Sequence, residues 1–310
     1  MADKPFHPCS PLACIGLGLI LVLCFQIGGR LGHAQIDQNN SPIAILVSKH
    51  IKPYMDAAAG LQQYLQAQDV PTQVFLLEDG DSLQPKRLTT QLQEHRYQAA
   101  VAIGPQATRF LWHIPDLHIP ALFSMVLRPQ QAVGDTCRKL CGVSLSLPVD
   151  IQLQTIEHLL PDPTRIGLLF HSDHNQIFYK QALKAADHLD MNVVPLRISD
   201  TGEISQVLAE HLAQIDVLWL IPDQVLNSKK VVEYIIKQAL YAQVPVIGYN
   251  RFFHESGAAV SFVFDYAQIG RQTGRLLMRR LEEGVCNVQS AEFEVWENER
   301  IYQILGLKHE

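Results

Sequence analysis

No stretch of this sequence is basic enough to track nucleic acid. Across 310 residues there are 25 Lys and Arg against 31 Asp and Glu, a formal charge of −6, and the cations are scattered rather than gathered on a stripe. Charge of either sign is scarce at 18%, while hydrophobic residues make up 47%, which excludes a disordered chain and calls for packed cores. Enzyme signatures are missing as well. There is no Gly-x-Ser-x-Gly elbow for an esterase-type nucleophile. Neither a Gly-x-Gly-x-x-Gly after a strand nor a phosphate loop ending in Gly-Lys-Ser/Thr is present. These absences leave an enzyme without support, and no cofactor is called for. Apolar runs of the ~20 residues that span a bilayer are also lacking. The longest, Leu12 to Ile27, is interrupted by Gln26.

That run sits in a leader. Lys4 gives a weakly positive start, and Gly32-His33-Ala34 offers small residues at a cut site. Residues 1–34 are expected to be a cleaved signal peptide, placing the mature chain in the periplasm. An uncleaved membrane anchor is the alternative. Removal takes out Asp3, Lys4 and Arg30, so the charge becomes −7. It also leaves three of the six cysteines: Cys137, Cys141 and Cys286. In an oxidising compartment Cys137 and Cys141 are near enough in sequence to pair, with two free thiols as the alternative and Cys286 unpaired.

After the leader, apolar runs without alternation recur: Ile43–Val47, Val74–Leu77, Ala99–Ile103, Ala121–Met125, and later Ile166–Phe170, Val193–Leu196, Val217–Ile221, Pro245–Gly248 and Ala258–Val263. Such runs are buried on both faces. Helical spacing separates them, as in Val232, Ile235, Ile236, Ala239 and Leu240. Strand, helix and strand in alternation predict parallel sheets with helices on both faces. The Pro in Val193–Leu196 marks an edge strand. Residues 127–141 break the rhythm, and short strands are expected near Phe293–Val295 and Ile301–Ile304. Asp265 is placed to cap the long helix that follows it. The expected fold class is α/β, two doubly wound parallel-sheet lobes with a cleft between them. Lobe one takes residues 41–143 and 264–288; lobe two takes 144–263 and 289–310.

In such sheets ligands gather at the carboxyl ends of strands. Those ends supply the candidate ligand-binding residues: Ser48, then Gly104, Pro105, Gln106 and Ala107, then Arg128, then Ser172 and Asn175, then Asp223, then Tyr249 and Arg251. At Gly104–Ala107 a helix begins, and its free N–H groups and dipole favour a carboxylate. An ordinary turn with Pro at the first helical position explains the same residues. The turn at 171–175 also opens a helix, with Ser172 or Asp173 as its cap. His171 and His174 have no third ligand in that segment, so no metal site is expected. Asp223, a lone carboxylate at a strand end, suits a ligand cation better than an acid–base pair. On that reading Asp223→Ala abolishes binding and leaves the melting temperature of the empty protein nearly unchanged.

Several segments together resemble the substrate-binding proteins of bacterial ABC transporters, in the group of tryptophan- and tyrosine-type binders with the type I periplasmic-binding fold. They are Ala102–Ala107, Gly142–Leu145, Leu159–Leu169, Val217–Asp223, Pro245–Gly248, Ser256–Ala259, Asp265-Tyr266 and Gly270–Gln272. The resemblance runs from about Ser41 to Leu307. It implies a monomeric protein that closes on a small solute, such as an amino acid or related carboxylate, and delivers it to an inner-membrane permease. A ligand-sensing component that docks on a membrane signalling receptor is the alternative with the same fold. The resemblance further implies that Gly104–Ala107 holds a ligand carboxylate, that Ser172–Asn175 faces it, and that Asp223 meets an ammonium. One departure stands out. Where the family has a small polar residue, Asp and Pro, this chain has Leu127-Arg128-Pro129. With Arg251, that favours a more anionic ligand if both side chains enter the cleft; otherwise Arg128 pairs with an acid at the rim.

Overall fold

Unbroken apolar runs become central strands because both faces of a parallel sheet are covered. In the computed structural model, which describes residues 41–77, 84–94, 96–160 and 163–307, this happens twice. The leader and Pro161-Asp162 lie outside the described residues. The first half contains β1 (Ile43–Val47), α1 (Lys52–Gln66), β2 (Thr72–Leu76), α2 (Gln84–Gln93), β3 (Ala99–Ile103), α3 (Pro105–Trp112), β4 (Ala121–Val126), α4 (Pro129–Val133) and β5 (Gly142–Ser144). The second contains α5 (Val149–Leu159), β6 (Arg165–His171), α6 (Ser172–Ala186), β7 (Asn192–Ile198), α7 (Ile204–His211), β8 (Val217–Leu220), α8 (Lys229–Tyr241), β9 (Val246–Gly248), α9 (Arg251–Glu255) and β10 (Val260–Val263). The chain then returns to lobe one through α10 (Tyr266–Glu283) and β11 (Val288–Ser290), and ends in lobe two with β12 (Glu294–Glu297) and α11 (Glu299–Leu305).

Each lobe is one six-stranded sheet. The first has the order β2-β1-β3-β4-β5-β11 and is parallel throughout. The second has the order β7-β6-β8-β9-β10-β12, parallel except for β12, which runs antiparallel to β10. Two apolar clusters sandwich each sheet. Strand order reverses between β1 and β3 and again between β6 and β8, so each lobe has one switch point at its carboxyl edge. In lobe one α10 packs tightly on α1: a Cβ added at Gly270 would overlap the Ala57 carbonyl, so only glycine fits. Asp265 caps α10, its Oδ1 accepting the Gln268 N–H at 3.1 Å. Sheet membership puts Ser144 and Val288–Ser290 with lobe one, a residue or two beyond the expected crossings. Among the described residues, no helix is long and apolar enough to cross a membrane.

Three expectations are corrected. The segment at 301–304 is helical, not a strand: Ile301 and Tyr302 bury against the lobe-two core, and Asn298 caps the helix by accepting the Ile301 N–H at 3.3 Å. A short apolar run does not by itself distinguish the two. The cap of α6 is His171, whose Nδ1 accepts the Asp173 N–H at 3.2 Å, rather than Ser172 or Asp173. Cys141 is bonded to Cys286, not to Cys137, with Cα atoms 5.5 Å apart. The reason is register: Gly142 of β5 lies opposite Val288 of β11, so the residues leading into both strands meet, 145 positions apart in sequence.

Candidate functional site

The two switch points face each other across the cleft, and each is stitched internally. In lobe one the Ser48 hydroxyl at the end of β1 accepts the Ala107 N–H at 2.8 Å. Gly104 adopts φ +86°, and a Cβ there would lie 2.7 Å from the Tyr54 ring and 2.8 Å from Ser48 Oγ. Its N–H goes to the Ser124 carbonyl at 2.9 Å, the Thr108 N–H to Gly104 O at 3.1 Å, and Pro105 has none. Most donors of this helix start are therefore already used by the lobe itself.

In lobe two the bridge runs from the other strand. Asp223, 8% exposed at the end of β8, accepts the His171 N–H at 2.8 Å and the Asn175 side-chain amide at 2.5 Å on Oδ2, and the Val225 N–H at 3.1 Å on Oδ1. Asn175 leaves helical geometry, at φ −120° and ψ 15°, and is 2% exposed. Its amide also reaches the Pro222 carbonyl at 3.3 Å.

Arg128 connects the lobes. Register shifts between Ser124 and Val126 of β4, where Met125 takes φ +60°. That bulge turns the chain ahead of Leu127 and Arg128 and re-aims them. The Arg128 guanidinium then donates to the His174 carbonyl at 3.1 Å and to Asn175 Oδ1. Both acceptors are neutral. Among the described residues Arg128 stands in no ion pair, so the expectation of an acid at the rim is not met.

Two cavities meet at this bridge. The larger, about 500 Å³, is of mixed character, with Arg109, Gln131, His174, Asp223 and Asn227 beside Pro105, Val126 and Leu127 in its lining. The smaller, about 60 Å³, is apolar, with Leu127, Leu145, Leu147, Phe178, Ile221 and Phe264 around it. Arg128, Asn175, Pro222 and Tyr249 line both. Burial, then the negative charge of Asp223, then Tyr266 push the Tyr249 phenol up to about 12, so it remains an O–H donor. Of the sequence candidates, Pro105, Arg128, Asn175, Asp223 and Tyr249 line these cavities. Ser48, Gly104, Gln106, Ala107 and Ser172 do not; Ser172 Oγ turns to the Ile198 carbonyl at 3.3 Å. Arg251 is also absent from both linings: its guanidinium stacks 4.9 Å from the Trp296 ring centroid. Sequence reasoning missed the apolar wall, because Leu145 and Leu147 lie in the crossing and Phe178 inside a helix, with nothing local to distinguish them from core.

Two α/β lobes joined by three crossings, with cavities in the cleft between them, make up the architecture. The chain matches the family described as ABC transporter substrate binding protein over residues 43–302, and it belongs to that family. A curated relative, a tyrosine-binding protein of Clostridioides difficile (strain R20291), is 26% identical over 171 residues, covering 53% of this chain and 49% of the relative. This chain thus spans about half the length of that relative. Among solved structures, a ligand-free, open substrate-binding protein with adhesive properties from Clostridium difficile superposes with a TM-score of 0.73 at 19% identity, over 87% of this chain and 96% of that one. A Streptococcus pneumonia ABC domain in complex with L-Trp gives 0.57 at 20% identity, over 86% and 96%. These structures share the type I periplasmic-binding fold.

Proposed function

We propose that this chain is the extracytoplasmic solute-capturing component of an ABC importer, closing its lobes on a small solute such as an amino acid or related carboxylate. The observation that carries this reading is the bridge of Arg128 in lobe one to His174 and Asn175 in lobe two, beside a cavity of about 500 Å³. A solute seated there touches both lobes, and its binding energy favours the closed arrangement over the open one. The partner is an inner-membrane permease, the protein acts as a monomer, and export runs through cleavage after Ala34. Solution scattering with candidate solutes tests the reading: saturating solute should shrink the radius of gyration, and mass spectrometry of the exported protein should give Gln35 as its first residue. A radius unchanged by any bound solute overturns closure. Capture of a receptor kinase rather than a permease by the closed form would move the role from uptake to sensing.

A further inference from the structure

We infer that the cleft selects a small apolar carboxylic acid lacking an amino group, a branched-chain or phenyl-bearing acid, in preference to the matching amino acid. The inference rests on the solute-binding reading above and adds the chemical class of the solute. Three observations carry it. First, the guanidinium of Arg128 lines both cavities and, among the described residues, bonds to neutral oxygens alone, so its charge has no anionic partner. A planar fork without an anionic partner, partly withdrawn from water, suits a carboxylate in bidentate contact. Second, the one carboxylate lining the larger cavity is spent. Asp223 is more than nine-tenths buried and accepts three donors of its own lobe, so at most one lone pair remains for an ammonium. What charge it has left is directed through Asn175 toward Arg128. With Arg109 and Arg128 both lining it, the cavity carries two guanidiniums against one carboxylate. Third, the apolar cavity opens beside Arg128, and its wall of Leu127, Leu145, Leu147, Phe178, Ile221 and Phe264 suits an apolar group on the acid. An ammonium on the carbon next to the carboxylate would sit between the guanidinium and the apolar wall, losing water without gaining a counter-charge.

Titration calorimetry on the intact chain tests this with matched probes: 4-methylpentanoate against leucine, 3-phenylpropionate against phenylalanine, and phenethylamine as the amine alone. Expected is a Kd at least tenfold lower for each acid than for its amino acid, and no heat from the amine. Arg128→Gln should raise the acid's Kd tenfold or more. Arg128→Lys should lose less, since the charge remains and only the fork goes, and it serves if the Gln variant does not fold. An amino acid that binds as tightly as its acid overturns the inference and leaves solute binding intact, as does a sugar that alone binds. Failure of acids, amino acids and sugars alike overturns both the inference and the solute-binding reading.

Discussion

The two switch points solve one topological problem with different chemistry. In lobe one a neutral hydroxyl on the first strand, Ser48, holds the turn after the third strand. In lobe two a carboxylate on the third strand, Asp223, holds the turn after the first. The Ser48 bond closes its lobe's helix start and presents little to the cleft. The Asp223 network carries charge, includes Asn175 at non-helical φ and ψ, and leaves the Asn175 Oδ1 to accept from Arg128 across the cleft. A helix start at a switch point is therefore not a binding site by position. It becomes one only where its donors or their partners are left facing the other lobe.

The comparison breaks most visibly at Asp223. Replacing it with Ala leaves the His171 and Val225 N–H groups without an acceptor and the Asn175 amide with the Pro222 carbonyl alone, and should cost about 3 kcal/mol by denaturant unfolding. This reverses the expectation from sequence; an unchanged melting temperature would return Asp223 to a ligand-only role. Removal of Cys141–Cys286 is the control. The bond lies at the amino ends of the lobe-one strands, away from both switch points, and the double variant Cys141→Ser with Cys286→Ser should lower stability by about 2–4 kcal/mol without changing solute affinity. A change in affinity would couple that edge to the cleft. Gly104→Ala forces a side chain into the left-handed region against Tyr54 and should cost about 2 kcal/mol. Ser48→Ala leaves only the Ala107 N–H unmet, a loss of about 1 kcal/mol, with solute affinity within twofold. A larger affinity loss would make the lobe-one helix start part of the site after all. A separate effect is confined to alkaline pH. Because the folded protein holds the Tyr249 proton to about 12 against an ordinary 10, stability is unaffected below 10 and falls between the two values. Tyr249→Phe should lessen that decline in pH-dependent melting curves, the remainder coming from Tyr54, Tyr97, Tyr266 and Tyr302, which burial also pushes up.

Much of the architecture was legible because burial on both faces writes itself locally. Runs such as Val217–Ile221 and Ala99–Ile103 admit few other readings, and the capping role of Asp265 follows from its place before an amphipathic helix. The carboxyl-end loops were legible for the same reason, and five of the proposed residues do line the cavities. What each one does there was not legible. Whether Asp223 serves a ligand or its own lobe depends on where the 171–175 turn lies, 48 to 52 positions earlier in the chain.

By itself, then, the sequence determined two doubly wound lobes, the order of their central strands and long helices, and the loops that meet in the cleft, since these follow from periodicity and turn chemistry over a dozen residues at a time. Only the tertiary structure decided that Cys141 pairs with Cys286, that Arg251 stacks on Trp296 outside the cavities, and that a bulge at Met125 carries Arg128 onto Asn175. Each of these is a contact between distant segments. Its partner is chosen by strand register and lobe closure, which no local run of side chains encodes.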